Sequence, residues 1–381
     1  MNSSSSFRVV LLTPPGRGAV ATLRVEGEGA CELVDSRFEP ASQRSVSDLA
    51  SEHLAFGQFP LGNNVYDEVV VRRPGKNVIE VHCHGGPAVV ERLIAGLCED
   101  GAERISASEW LRATSPTSIT AAAHAALGNA TTLPAAAILL DQFHGALDRA
   151  LREILDKLER EEIDAAAGRI RRLLAVAPCG RHLERPWRVV LAGRPNVGKS
   201  SLMNALVGYG RAIVHETPGT TRDLVTARTA VDGWPVEFCD TAGLRDSEHA
   251  VEQQGIGLVQ SRLESASLSL LVFDATEPWS EADQKLRRLW PSALLVFNKA
   301  DLAEASVDGC PAGLLVSALD GRGIESLLKT IAERLVPNPP NPGEAVPFLD
   351  EHVTALEAAT AALDRGAVAE AALHIAACYR C

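Results

Sequence analysis

Hydrophobic and polar positions fall into three regimes along the chain. From Phe7 to Val25 an apolar run (Val9, Val10, Leu11, Leu12) meets the turn TPPGRG at Thr13–Gly18, and a second run follows from Val20 to Val25, which predicts a hairpin-like pair of strands. Further strands are expected at Val69–Val71 and Val78–Val81, the latter leading into HCHGG at His82–Gly86. A helix then starts near Pro87 with Val89, Val90, Leu93, Ile94 and Leu97 on one side. Between Ala121 and Val176 the period changes: Leu147, Leu151, Ile154, Leu155 and Leu158 recur by threes and fours in a stretch rich in Ala, Leu, Glu and Arg, which predicts a bundle of two or three helices. Pro178, Gly180 and Pro186 punctuate its end.

A third regime follows. Val225, Ala227, Thr229 and Val231 alternate into Asp232-Gly233, a hairpin turn signal, and Val236–Phe238 returns. Continuous apolar runs at Leu268–Phe273, Ala293–Phe297 and Gly313–Val316 have the look of strands buried on both faces, as in a parallel sheet flanked by helices. A helix at Ile324–Val336 stops at PNPPNPG, which reads as a linker, and one more helix, His352–Leu363, is expected beyond it. The domains are therefore placed at residues 1–112, 113–185, 186–337 and 338–381.

The third regime opens on LAGRPNVGKSSLMNAL, Leu191–Leu206, which has the order strand, glycine-rich loop, helix. Gly193 and Gly198 let the backbone curl until its N–H groups face an anion, and the positive end of the helix that begins near Lys199 faces the same point. Lys199 adds a mobile charge for β and γ phosphates, and the Ser200 hydroxyl can ligate Mg²⁺. DTAG at Asp240–Gly243 closes the next long strand; Asp240 can hold the Mg²⁺ shell and the Gly243 N–H can bind a γ-phosphate. NKAD at Asn298–Asp301 offers the Asp301 carboxylate to N1–H and N2–H₂ of guanine, donors that adenine lacks, so the site selects GTP. SAL at Ser317–Leu319 can present the Ala318 N–H to guanine O6, and GTTRD at Gly219–Asp223 is placed to carry a Thr to Mg²⁺. Leu244 stands where Ras-like proteins have the water-orienting Gln, so that task passes to a polar residue such as Glu248 or Glu252, or to a partner.

Composition narrows the picture further. The chain has 381 residues, 46% of them hydrophobic, with a net charge of −12, which argues against a protein that coats nucleic acid non-specifically. No apolar run reaches membrane-spanning length and MNSSSS lacks the features of a secretory signal, so a cytoplasmic location is expected. Eight scattered cysteines suggest reduced thiols, and the terminal pair Cys378 and Cys381 is read as a frayed tail. His82, Cys83 and His84 alternate along a strand, so only the two imidazoles could share a ligand, and no metal is expected there.

Taken together, GRPNVGKSSLMNAL, GTTRD, DTAGLRD with VEQQGI behind it, NKAD, SALDGRGIESL, TPPGRG and HCHGGP resemble the tRNA-modification GTPases of the MnmE (TrmE) type. The resemblance implies an α/β P-loop GTPase domain with a mostly parallel, Ras-like sheet, an N-terminal α+β folate-binding and dimerising domain, and a helical domain, here reduced. It implies nucleotide contacts at Gly193, Asn196, Val197, Gly198, Lys199, Ser200, Ser201, Thr220, Thr221, Asp240, Gly243, Asn298, Lys299, Asp301, Ser317 and Ala318. Ser200 and Thr221 would ligate Mg²⁺; Asn196, with His215, Thr217 and Thr220 of the switch loop, would hold a K⁺ that replaces an arginine finger. Glu252 would orient the water, and Arg24 and Glu80 would contact a 5-formyl-tetrahydrofolate-like folate. A homodimer, a flavin-dependent partner enzyme and tRNA, modified at C5 of the wobble uridine with an aminomethyl or carboxymethylaminomethyl-type group, complete the expectation. The chain departs from the family where Lys76 and Asn77 replace an acidic pair, where RATSPTSIT from Arg112 replaces the FLNGKLDL-type segment with its Lys, and where CYRC replaces CIGK. Those departures leave open a regulatory GTPase switch without folate chemistry, and the GTPase motifs taken alone, PNVGKS among them, would also fit a ribosome-assembly GTPase.

Overall fold

The computed structural model describes residues 7–14, 18–42, 45–50, 53–209, 226–240, 266–302 and 309–379. They form two compact units, Met1–Asn129 and Ala130–Cys381.

The first unit is built on a seven-stranded sheet. Its strands are β1 (Phe7–Leu11), β2 (Val20–Gly27), β3 (Glu39–Pro40), β4 (Leu54–Gly62), β5 (Val65–Gly75), β6 (Val78–His84) and β7 (Glu103–Arg104). They lie in the order β3-β4-β5-β6-β2-β1-β7, antiparallel except for the β1–β7 pair. Helices α1 (Ala30–Asp35) and α2 (Pro87–Glu99) cover one face. There Leu33, Val34, Val90, Leu93, Ile94 and Leu97 interleave with Val9, Leu23, Val25, Val69, Val71, Ile79 and Val81 in one continuous core. Alternation puts Thr22, Arg24, Glu80 and His82 on the opposite face, paired in register as Arg24 with Glu80 and Thr22 with His82. Helices α3 (Ala107–Thr114) and α4 (Ser118–Leu127) complete the unit, α3 starting at a capping box between Ser106 and Glu109.

The second unit joins a helical bundle to an α/β domain. The bundle comprises α5 (Leu133–Phe143), α6 (Ala146–Glu159), α7 (Ile163–Gly180), α11 (Asp350–Asp364) and α12 (Val368–Ala377), with α11 packed on α7 and α12 on α6. Two expectations need correction here. The helix α7 runs through Pro178 to Gly180 instead of stopping before it, and two helices, not one, follow the Pro-rich segment.

That Pro-rich segment is a strap fastened to the bundle. Gln142 is fully buried; its Nε2 donates to Glu344 O at 3.0 Å and its Oε1 accepts from Val346 N at 3.1 Å, while Asp141 Oδ2 accepts from Gly343 N at 2.7 Å. Gly180 is required at the crossing, because a Cβ there would lie 1.9 Å from Pro347 O.

Between α7 and the strap lies a six-stranded sheet in the order β13-β12-β11-β8-β10-β9. Its members are β8 (Trp187–Ala192), β9 (Thr226–Val231), β10 (Trp234–Asp240), β11 (Leu268–Asp274), β12 (Leu294–Asn298) and β13 (Leu314–Leu315), all parallel but for the β9–β10 hairpin. The hairpin turns at Asp232-Gly233, both at positive φ, as a type I′ turn demands. Helices α8 (Lys199–Tyr209) and α10 (Ile324–Leu335) pack on one face of the sheet. On the other, near α9 (Glu281–Leu289), Trp279 meets Phe273 edge-on at 4.9 Å. All the buried strands aim their C-terminal ends at one edge, where ligands of open α/β sheets bind.

Candidate functional site

The loop Gly193–Gly198 leaves β8 at that edge and feeds α8. It leaves flush against β11, since a Cβ on Gly193 would lie 2.2 Å from Val272 O. Asn196 and Gly198 take positive φ, 64° and 90°, which turns the chain back so that α8 begins with its N-terminus toward the loop. The Lys199 ammonium lies across the loop, donating to Gly193 O at 3.2 Å and Arg194 O at 2.9 Å. One residue into the helix, Ser200 Oγ donates to Asp240 Oδ2 at 2.5 Å, and Asp240 closes β10 in register with Leu191. A hydroxyl and a carboxylate so placed are the hard oxygen donors that would hold Mg²⁺. Val197 is buried beneath the loop and Ser201 is exposed on α8.

At the end of β12 a second cluster forms. Asn298 is 2% exposed and spans three segments: its Nδ2 donates to Val197 O at 3.0 Å, and its Oδ1 accepts from Ala318 N at 3.0 Å. The Ser317 hydroxyl accepts from Leu319 N and Asp320 N, each at 3.2 Å, so its proton is directed to Asp301 Oδ1 at 2.7 Å. A carboxylate oriented in this way can accept the paired N1–H and N2–H₂ donors of guanine.

Five further residues, Asp274, Thr276, Arg194, Glu277 and Asp283, support these clusters and escaped the sequence reading. Lys299, at φ 72°, places its Nζ 2.5 Å from Asp274 Oδ2, and Asp274 Oδ1 accepts from Thr276 N at 2.9 Å and Thr276 Oγ1 at 2.7 Å. Burial pushes the Asp274 carboxyl up, but the Lys299 and Thr276 donors outweigh it and hold it below its ordinary range. Arg194 donates from Nη2 to Glu277 Oε2 at 2.6 Å, and its Nε lies 2.9 Å from Asp283 Oδ1 as an ion contact without hydrogen-bond alignment. The available signals were slight: an Asp-x-Thr at a strand end, which makes an Asx-type turn, and Ser280 three residues before Asp283, which caps α9.

His215, Thr217, Thr220, Thr221, Gly243 and Glu252 lie outside the described residues, as do Glu248 and Cys381. In the first unit, Arg24 and Glu80 are brought together: Nη1 to Oε1 is 3.2 Å, with Glu26 on the other side of the guanidinium and the Trp110 ring 5.2 Å away. Trp110 also walls a cavity of about 980 Å³ with Leu11, Pro14 and His124. His82 Nδ1 meets Thr22 Oγ1 at 3.0 Å and His84 Nδ1 meets Asp67 Oδ1 at 2.6 Å, so the two imidazoles have separate partners. Among the described residues no group of three or more His, Cys, Asp or Glu could hold a metal, and no helix is long and apolar enough to cross a membrane.

A glycine-rich loop between a buried parallel strand and a helix N-terminus, with a hydroxyl–carboxylate pair beside it and an oriented Asp at the base end, defines a P-loop protein that binds guanine nucleotides. Comparison with known proteins narrows this class. Residues 188–299 match the family described as 50S ribosome-binding GTPase, and residues 9–113 match the GTP-binding protein TrmE N-terminus. The tRNA modification GTPase MnmE of Geobacillus kaustophilus is 32% identical over 93% of this chain and 89% of its own length. Those of Geobacillus thermodenitrificans and Heliobacterium modesticaldum are 31% and 32% identical, each over 84% of this chain and 80% and 79% of their own. Among solved structures, the G domain of the T. maritima FeoB iron transporter covers 39% of this chain and 99% of its own at 26% sequence identity and a TM-score of 0.30. The chain belongs to the MnmE family of tRNA-modification GTPases, and it is a GTP-hydrolysing enzyme.

Proposed function

We propose that this chain uses GTP hydrolysis to drive modification of C5 of the tRNA wobble uridine, in a homodimer that works with a flavin-dependent partner enzyme and meets tRNA with or through that partner. The observation that carries the reading is the pairing, in one chain, of an Asp301 already oriented by Ser317 at 2.7 Å with an N-terminal unit that matches TrmE. Asp301 reads guanine, with Asn298, Lys299 and Ala318 around the base. Lys199 leaves the carbonyls of Gly193 and Arg194 for the β and γ phosphates, which the loop N–H groups also bind. Ser200 and Thr221 hold Mg²⁺ with Asp240 behind them, and Mg²⁺ supplies charge neutralisation across the phosphates. Asn196, His215, Thr217 and Thr220 hold K⁺, which supplies the charge of an arginine finger. Glu252 orients the attacking water.

Folate is the finer part of the reading. The Arg24 guanidinium and Glu80 carboxylate suit the carboxylate and amide groups of a folate, and they lie side by side. That ion pair, together with Lys76, Asn77 and the replaced segment from Arg112, also favours a second reading, in which GTP hydrolysis survives as a switch without folate chemistry. One experiment separates the two. The gene is deleted in its host and wobble nucleosides are measured by mass spectrometry. The proposal expects C5-modified uridine to disappear; an unchanged profile, with no second family member present, overturns it in favour of the switch.

A further inference from the structure

The segment that joins β11 to α9 carries carboxylates whose partners are the two basic side chains flanking the nucleotide site. Asp274 opens the segment, and its first peptide is tied to the base loop, with Ala275 N donating to Asn298 O at 2.8 Å. Its carboxylate cannot turn: Thr276 occupies Oδ1 twice, and Oδ2 faces Lys299 Nζ. Lys299 needs that partner, because a non-glycine residue at φ 72° is held against a local steric cost. At the other end of the segment, Asp283 Oδ2 accepts from Ser280 N at 3.0 Å and Ser280 Oγ at 2.6 Å as the cap of α9, which leaves Oδ1 toward Arg194 Nε. Glu277 takes Nη2 of the same guanidinium. The Arg194 carbonyl in turn receives Lys199. The linkage thus runs from a helix cap through Asp283 and Arg194 to the phosphate loop.

We propose that the segment Asp274–Asp283 is a brace that touches no nucleotide and positions Lys299 at the base end and Arg194 at the phosphate end, so that nucleotide affinity depends on residues outside the binding motifs. The inference rests on guanine-nucleotide binding at this site and is independent of the tRNA and folate readings. Its sign distinguishes it from simple electrostatics. Bare carboxylates near a polyanion repel it, so neutralising one would tighten binding. A brace behaves in the opposite way: neutralising one frees a basic side chain and weakens binding.

The test measures the affinity of the full chain for a fluorescent GDP analogue. Asp274→Asn should weaken binding by about tenfold in the native background and by less than about twofold in Lys299→Met, because the second change removes the side chain through which Asp274 acts. Glu277→Gln, at an exposed position that carries little folding risk, should weaken binding by about threefold, with the loss vanishing in Arg194→Met. GTP and ITP affinities should fall by the same factor in Asp274→Asn, since the 2-amino contact belongs to Asp301 and a merely structural collapse of the base loop would compress their ratio. Unchanged or tighter binding in the single variants, a loss that persists in full in the Met backgrounds, or a compressed GTP to ITP ratio overturns the proposal.

Discussion

Asn298→Ala tests how far the base loop and the phosphate loop are one structure before any nucleotide arrives. The side chain is 2% exposed and is the bridge from Val197 O to Ala318 N, at 3.0 Å on each side. Truncation leaves the buried Val197 carbonyl and the half-buried Ala318 N–H without that partner, at about 1–3 kcal/mol each. Water entering the vacated space recovers part of this, so the expected loss is about 2–4 kcal/mol of unfolding free energy. For a domain of this size that lowers the melting temperature by about 5–15 °C. The assay is thermal unfolding followed by circular dichroism on nucleotide-free protein. Saturating GDP should raise the melting temperature of the native chain more than that of the variant, whose affinity also falls. A nucleotide-free melting temperature within about 2 °C of the native value would refute the reasoning, because it would mean that the bridge is redundant with backbone packing.

Two further outcomes are expected. If Asn196 and the switch loop hold K⁺, GTP hydrolysis should fall sharply when Na⁺ replaces K⁺, and equal rates remove the ion from the mechanism. His352, 1% exposed and edge-on to Phe348 at 5.2 Å, has its pKa pushed by burial from the ordinary 6.5 down to about 4, against a small opposing effect of Glu351. Between those values the unfolded chain binds a proton that the folded chain refuses, so stability is whole above the unfolded pKa and falls with pH, by up to about 3 kcal/mol near pH 4. Urea unfolding from pH 7 to 4 should show this slope and His352→Leu should flatten it; an unchanged slope would assign the acid sensitivity elsewhere.

The sheet around the phosphate loop was legible in the sequence because its strands are buried on both faces and bounded by turn chemistry. Val189–Leu191 and Leu268–Phe273 fall inside strands, Ala293–Phe297 does so from Leu294 onward, and Asp232-Gly233 turns the hairpin as its residue types require. Strand β4 was missed: Leu54 and Phe56 lie on its exposed face, so the apolar and polar positions do not alternate as a half-buried strand should. Helix α12 was missed because half of it is alanine, which propagates a helix while giving little contrast between its faces. The segment PNPPNPG reads as a tether by composition, yet its Gly343 N–H is held by Asp141, and Glu344 and Val346 just beyond it by Gln142, two hundred residues away in sequence, a long-range fact that no local pattern announces. At the site, the motif residues were legible because phosphate and guanine demand particular donors at short spacing. Asp274, Glu277, Asp283 and Arg194 act on those residues from the side, and for that any carboxylate or guanidinium in reach would serve.

The contact between Gly180 and Pro347 sets the chain geometry of the whole second unit. The excursion that builds the nucleotide site departs from the bundle beside Gly180 and comes back at Pro347, so from the bundle's side some hundred and sixty residues are a loop whose two feet stand together. The same domain leans on the bundle a second time, where Gly233 of the β9–β10 hairpin comes so close to Pro134 of α5 that a Cβ there would lie 2.8 Å from the proline ring, so the loop is seated on its base at its feet and at one hairpin tip.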